Sequence, residues 1–344
     1  MKSGSLREKA VAGLSFLTLA AVLALVAAAF AGGPNTVLLQ AQEQPAPTAL
    51  RPPVAAPAQS PTQTLPASGA SSFIIASWNV RDCAASDKST GERISLHDTI
   101  ALTIKEARAD IIVLQEIQSD DAKGGDIALL SVALARAGWA MPYVAVVDVR
   151  GEDDLAIFSR YRIAEQGPVL DPGQADPWPR SGIYASIDLG VMRLDLLGFH
   201  FKALGDEKSE KTRRAQAQAL GRHLTATYGA ELATKAVVLA GDFNTANASD
   251  LGAKASTLSA LRLADDADKG NDFLATNFSF RGDEPTFVDS RYSSVLDHIL
   301  LSPALAAGFD GSRVQVLRPS IAPGEIPTSD HRLVLVEIFP FPAD

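Results

Sequence analysis

The chain has 344 residues, 47% hydrophobic and 21% charged, with a formal net charge of −9, which suits a globular, enzyme-sized protein. Removing the four basic and two acidic residues of the N-terminal 72 leaves 27 basic against 38 acidic residues, about −11, which is unlike a dedicated tight nucleic-acid binder. Cys83 is the only cysteine, so no intrachain disulfide can form, and no Cys/His spacing of a zinc site occurs.

The first element is targeting sequence rather than fold. Lys2, Arg7 and Lys9 precede an uncharged apolar run, Ala10 to Ala31. That is a positive segment followed by an export-type stretch. The run is long enough to span a bilayer, and Ala29-Phe30-Ala31 has the small-x-small form of a cleavage site. A signal peptide and an uncleaved membrane anchor over 1–31 are both consistent with it. In either case the charge asymmetry puts the rest of the chain outside the cytoplasm, periplasmic or secreted. Residues 32–72 then shift to Pro, Ala, Gln, Ser and Thr. Such a segment cannot bury a core, and a disordered linker is expected. A single large domain of about 270 residues is expected over 73–344.

Within that domain "SFIIASWNV" reads as a strand ending at Trp78-Asn79. Ile94, Ile100, Ile104 and Ala107 have helical spacing. "DIIVLQEI" is a short apolar strand ending in Gln115-Glu116, and a helix is predicted over Asp126–Ala137. "YVAVVDV" and "DLAIFSR" read as strands joined through a turn at Gly151. "GIYASIDL" and "MRLDLLGFHF" form a predicted hairpin around Gly190, its second strand ending at His200. "SEKTRRAQAQALGRHLTATY" is the clearest helix. "AVVLAGDFN", "SVLDHILLS" and "HRLVLVEIF" are later strands. Strands arrive both in βαβ order and as hairpins, with no Gly-rich phosphate loop. The expectation is an α/β (α+β) fold of mixed sheets with helices outside, not a doubly wound dinucleotide fold.

Polar groups gather at strand ends. Asn79 follows "IIASW", Glu116 follows "IIVLQ", and Asp242 with Asn244 follows "VVLAG". Asp330 and His331 precede the last strand, and Asp297 and His298 lie within "SSVLDHILLS". A strand end is a rigid mount for a site. Carboxylates and carboxamides gathered by a sheet make the oxygen-rich environment that Mg²⁺ prefers. The histidines add groups that titrate near neutral pH.

In that order "SWNV", "LQE", "GDFN", "LDHIL" and "SDH" resemble the endonuclease/exonuclease/phosphatase superfamily, which has the deoxyribonuclease-I-like fold. Each motif alone is weak; five in family order, from Phe73 to the C-terminus, are specific. The resemblance implies a four-layered sandwich of two packed mixed β-sheets flanked by helices. It also implies metal-dependent phosphoester hydrolysis with Mg²⁺ or Mn²⁺. Carried across position by position, it puts Asn79, Glu116 and Asp330 in the metal site. Asp242 and Asn244 correspond to the pair that orients the attacking water and holds the phosphate. His331 corresponds to the histidine beside the scissile phosphate, with Asp297 orienting it. Arg180, in "PRSGIYASI", stands where a phosphate-binding arginine is often found. His200 matches the second histidine of the deoxyribonuclease-I and sphingomyelinase branches. Asp153 or Asp154 is a partner for it, and Asp153 is preferred.

Blander readings are set beside these. His298 alternates with Asp297 along a strand, so it faces away from the site and is structural. His97 and His223 lie on helical patterns and are expected at the surface. Lys202, Lys208, Lys211, Arg213 and Arg214 read as a solvated helix start. Trp78 is expected in the core and Cys83 to be inert. The expected function is a metal-dependent phosphodiesterase, a nuclease acting as an endonuclease outside the cytoplasm, monomeric, with a nucleic-acid substrate. If uncleaved, its N-terminal segment meets the membrane. The alternatives are a sphingomyelinase-like lipid phosphodiesterase or a phosphomonoesterase. A non-catalytic tethered module has no physical need for the full set of acids and histidines.

Overall fold

A computed structural model describes residues 72–86, 93–119, 125–148, 154–169, 181–245, 256–307, 309–322 and 326–339. The expected signal or anchor over 1–31 and the linker up to residue 71 lie outside the described residues, as do Asp153 and Arg180. Among the described residues no helix is long and apolar enough to cross a membrane.

The strands are β1 (Phe73–Asn79), β2 (Ala84–Ser86), β3 (Arg93–Ser95), β4 (Ile111–Ile117), β5 (Tyr143–Val147), β6 (Asp154–Ser159), β7 (Arg162–Val169), β8 (Gly182–Asp188) and β9 (Arg193–His200). They continue with β10 (Val237–Asp242), β11 (Leu274–Ala275), β12 (Phe287–Val288), β13 (Ser293–Ser294), β14 (Asp297–Leu301), β15 (Val314–Leu317), β16 (Ile321–Ala322), β17 (Ile326–Pro327) and β18 (Leu333–Ile338). The α-helices are α1 (His97–Glu106), α2 (Asp126–Arg136), α3 (Glu207–Tyr228), α4 (Thr257–Leu261), α5 (Thr276–Arg281) and α6 (Pro303–Ala306).

Two six-stranded sheets carry the fold, in the orders β15-β18-β1-β4-β6-β5 and β11-β14-β10-β9-β8-β7. Each contains one parallel pair, β1 with β4 and β10 with β9, among antiparallel ones, so both sheets are mixed. Period-two alternation sorts the strand residues into layers. Ile75, Ile111, Val113, Ile157, Val334 and Val336 of the first sheet meet Ile183, Leu196, Val238, Ala240 and Ile299 of the second in one core. The opposite face of the first sheet, through Trp78, Ile112, Leu114 and Phe158, packs on Ile100 and Ile104 of α1 and Leu130 and Leu134 of α2. The outer face of the second sheet, through Leu197, Leu239 and Leu300, packs on Leu220 and Leu224 of α3 and Leu258 of α4. Each such buried aliphatic side chain contributes about 1.5–3 kcal/mol relative to exposure. The result is the four-layered sandwich that the family resemblance implied, with the mixed sheets and outer helices that the strand and helix order anticipated.

The longest helix starts where its sequence says it should. Asp206 is the N-cap, its carboxylate accepting from the Ser209 amide at 3.0 Å, and the chain leaves at Gly229 with φ 53°. Two expectations change. Ile94 lies in the short strand β3, so the helix begins only at His97. The edge strand β7 is missing from the pattern reading because Gly167 and Pro168 interrupt it and most of its residues are solvent-facing, a combination that only an edge tolerates.

Candidate active site

The alternation that builds the inter-sheet core also delivers the polar groups. Asn79 continues the inward series Ile75, Ser77; Asp242 continues Val238, Ala240; His200 continues Leu194, Leu196; and Asp297 precedes Ile299 and Leu301. In the second sheet Asp242 stands directly between His200 on β9 and Asp297 on β14 in register. The carboxylates and imidazoles therefore converge at one end of the two sheets, between them.

Glu116 breaks the pattern. By strict alternation it would join Ile112 and Leu114 on the helix-facing side. Instead β4 has a register shift between Gln115 and Ile117, Glu116 takes φ 55°, and Ile117 occupies the helix-facing core. A bulge of this kind re-aims a side chain. The Glu116 carboxylate accepts from Asn79 Nδ2 at 2.7 Å and lies 3.7 Å from His200 Nε2. Asn244 also lies in the left-handed region, at φ 51°. Its amide N–H donates to Asp242 Oδ1 at 3.0 Å and its Nδ2 to the Phe201 carbonyl at 3.2 Å. Such non-glycine conformations cost of order 1–3 kcal/mol each and persist where the surroundings over-determine them. Gly241 is required just before Asp242, because at φ 156° an added Cβ would lie 2.1 Å from the Phe199 carbonyl oxygen.

The centre of the cluster is buried and the rim is open. Asn79, Asp242, His200, Asp297 and His331 are all buried, while the Glu116 and Asp330 side chains are 25% and 31% exposed. His331 Nδ1 and Asp297 Oδ2 are 2.9 Å apart, and His331 Nε2 lies 3.7 Å from Asp242 Oδ2. Asp242 Oδ2 also accepts from Asn79 Nδ2 at 3.3 Å and sits 3.8 Å from His200 Nε2. Burial, and then the charge of Asp297, push the Asp242 carboxyl up to about 7, against the lowering effect of His331. Burial alone would lower His331, but the charges of Asp297 and Asp242 and the hydrogen bond to Asp297 overcome it and hold the imidazole at about 10. His331 is thus an imidazolium near neutral pH, enclosed by carboxylates.

The acids outnumber the cation they enclose, which suits a divalent metal. Glu116 offers a partly exposed carboxylate whose orientation Asn79 fixes, and hard oxygen donors of this kind suit Mg²⁺ or Mn²⁺. The Asp330 carboxylate lies at the rim, 3.8 Å from Arg81 Nη1. Asp242, Asp297 and His331 also have metal-like spacing, their ligand atoms within 4.8 Å of one another. Here the His331–Asp297 hydrogen bond already occupies one nitrogen and one oxygen.

Several supporting residues escaped the sequence reading. Ser329 Oγ donates to the Asn79 carbonyl at 2.8 Å and accepts from the His331 amide at 3.0 Å, tying the first and last strands of the site together. The Thr286 hydroxyl oxygen accepts from the amides of Leu296 and Asp297 at 2.9 and 3.0 Å. Trp78, in the core as expected, donates its indole N–H to the His331 carbonyl at 3.1 Å. Arg81 carried one available signal, two residues beyond Asn79. Ser329 and Trp78 stand in the quoted "SDH" and "SWNV", whereas Thr286, a single hydroxyl outside every motif, carried no signal.

The remaining expectations divide. His298 does face away from the cluster. It is fully buried, stacks on Phe278 with centroids 5.5 Å apart, and its Nε2 is 2.7 Å from Thr245 Oγ1; burial takes it down to about 4. His97 is buried rather than at the surface, bridging Ser95 Oγ at 2.7 Å and Asp126 Oδ1 at 2.9 Å across the starts of α1 and α2. Helical periodicity could not show that, because Asp126 comes from another segment and Ser95 from the short strand β3. Arg213 is likewise not part of a solvated helix start. Its buried guanidinium donates to the Lys202 and Leu204 carbonyls at 2.8 and 2.6 Å and to Glu210 at 2.7 Å, fixing the turn after His200. Lys208 and Lys211 are exposed, and His223 is half-buried. Asp154 shares the helix-side face with Ala156 and Phe158, and its carboxylate accepts from the Ser119 amide at 2.8 Å and from the Ser119 hydroxyl. Cys83 is fully buried, and burial raises its thiol well above the ordinary value, which fits an unreactive cysteine.

The profile of the Endonuclease/Exonuclease/phosphatase family matches residues 76–331. No curated protein matches the sequence. Among solved structures, TDP2 of D. rerio complexed with single strand DNA product is 16% identical with a TM-score of 0.55, covering 78% of this chain and 100% of that one. The 3′ phosphatase NExo from Neisseria, bound to a product DNA hairpin, is 21% identical with a TM-score of 0.51, covering 77% and 99%. An endonuclease/exonuclease/phosphatase family protein from Bacteroides thetaiotaomicron is 20% identical with a TM-score of 0.51, covering 78% and 98%. At these identities the structural likeness speaks for the fold.

Proposed function

The chain belongs to the endonuclease/exonuclease/phosphatase family, and from that premise we propose that it is a Mg²⁺- or Mn²⁺-dependent phosphodiesterase, a nuclease working outside the cytoplasm. One observation carries the reading. A buried, charged His331–Asp297 pair faces Asp242, whose carboxyl is raised to about 7, beside the partly open Glu116 carboxylate. A structural ion cluster would be expected to exclude solvent, whereas this one opens at Glu116 and Asp330.

The roles that the family resemblance implies are compatible with this geometry and charge. Glu116, oriented by Asn79, would hold the divalent ion together with the rim carboxylate Asp330. When bound, that ion supplies Lewis-acid stabilisation of the phosphoryl oxygens. Asp242, raised toward neutrality, accepts a proton from the attacking water, and Asn244, locked by its bonds to Asp242 and Phe201, binds a phosphate oxygen. The His331 imidazolium stabilises the charge that develops on the phosphorane, and Asp297 keeps its ring oriented. His200, 3.8 Å from Asp242 Oδ2, would protonate the leaving oxygen. Two of the similar structures are described with DNA products, which supports a nucleic-acid substrate.

A substrate panel tests the reading: plasmid DNA, RNA, sphingomyelin and a phosphomonoester, each with and without Mg²⁺. Metal-dependent cleavage of DNA or RNA is expected. Turnover of sphingomyelin alone would move the assignment to lipids, and turnover of the monoester alone would make the protein a phosphatase. The N-terminal sequence of the mature protein decides between anchor and cleaved signal: Met1 retained on membrane-bound protein means an anchor.

A further inference from the structure

The rim of the site carries a feature that the mechanism leaves unused. Strands β12 and β13 form a small hairpin, and its inner end is fastened to the catalytic groups. Phe287 bridges His331 in antiparallel fashion, the Val288 amide donates to the Asp330 carbonyl at 2.9 Å, and the Arg332 amide donates to the Thr286 carbonyl at 2.6 Å. Thr286 in turn receives the Asp297 amide. The Phe287 ring meets the His331 ring edge-on, with centroids 4.9 Å apart. Tyr292 lies 5.4 Å from Phe287 and is 60% exposed. The tip does not depend on Tyr292 packing for its shape, because Asp289 closes it by accepting from the Arg291 and Tyr292 amides at 2.6 and 2.8 Å.

A hydrogen-bonded turn thus presents an aromatic ring to solvent, one ring away from the His331 imidazole that would meet the phosphate. Its neighbours Asp289, Ser290, Arg291 and Ser293 are polar and exposed, and Val288 is the single exposed apolar side chain on the same hairpin. That surrounding does not suit an acyl chain, which needs a continuous apolar face. It suits a planar polar ring that stacks while its edges stay in water. We propose that Phe287 and Tyr292 form a nucleobase-stacking platform, which holds the base next to a scissile phosphate seated at His331. This rests on the phosphodiesterase reading and narrows its substrate to base-bearing nucleic acid.

The experiment compares two probes of equal length and charge with the full-length protein. One is a single-stranded deoxyoligonucleotide; the other is a tetrahydrofuran sugar–phosphate chain without bases. Binding is read by fluorescence anisotropy in EDTA, and KM is measured in Mg²⁺. The wild type is expected to prefer the base-bearing probe. Tyr292→Ala should weaken that preference roughly tenfold to a hundredfold, the range of one lost base stack. Tyr292→Phe should restore it, and the unfolding midpoint should hold. Equal binding of both probes by the wild type, or an equal loss for both in Tyr292→Ala, would overturn the platform. Absence of hydrolysis with intact, base-selective binding would instead count against the catalytic reading alone.

Discussion

Asp297→Asn is the most informative single change, since it removes a charge while keeping the shape of a fully buried side chain. The imidazole of His331 is held at about 10, against an ordinary 6.5, by opposite charges that overcome burial. The difference corresponds to about 5 kcal/mol in favour of the charged ring. Asp297 is the first of the raising influences and also provides the hydrogen bond at 2.9 Å, with Asp242 next at 3.7 Å. Loss of one contacting carboxylate shifts a histidine by about 1–3 units. The imidazole of the variant should therefore lose its proton nearer neutral pH. Since the charged ring is the useful form, kcat/KM of wild-type enzyme should fall as pH rises through about 10, and this alkaline limb should move down in Asp297→Asn. An NMR titration of the His331 ring checks the same shift without turnover. His331→Ala should cost about 10²–10⁴-fold in turnover, Asp297→Asn less, and the double variant little more than His331→Ala, because the pair acts as one unit. An alkaline limb that stays in place, or strict additivity in the double variant, would refute the pairing.

Glu116→Gln should weaken Mg²⁺ binding in calorimetry with little change in the unfolding midpoint, and full turnover in excess EDTA would contradict the metal assignment. His298 is held at about 4 in the folded protein against 6.5 when free, so the unfolded chain takes up the proton first. Stability should fall as pH drops from about 6.5 toward 4, by a few kcal/mol in total, and His298→Phe should flatten that dependence in denaturant titrations. Thr245→Val leaves the buried His298 nitrogen without its 2.7 Å partner; a loss of about 1–3 kcal/mol is expected by chemical denaturation. A chain beginning near Ser71 should unfold cooperatively and keep its activity, since a Pro/Ala-rich linker has no means of burying itself; insoluble or non-cooperative protein would argue against that boundary.

Much of this protein is written locally. Short apolar runs in "IIASW", "IIVLQ" and "VVLAG" mark three strands, and period two separates Asp297 from His298, which turns away. Five short motifs in order, through the family they resemble, were enough to anticipate the family and its four layers. What alternation cannot do is predict its own exception. Glu116 reaches the site only because a bulge flips it, and the bulge is stabilised by partners, such as Asn79, that lie far along the chain. The burial of His97 and Arg213 is hidden for the same reason: Asp126 and the Lys202 and Leu204 carbonyls are their neighbours in space, not in helical period. The protonation of the site is the most tertiary property of all. Asp242, Asp297 and His331 are ordinary side chains in the sequence. Their titration is set by desolvation and by charges a few ångströms away, and both exist only once the two sheets have closed on each other.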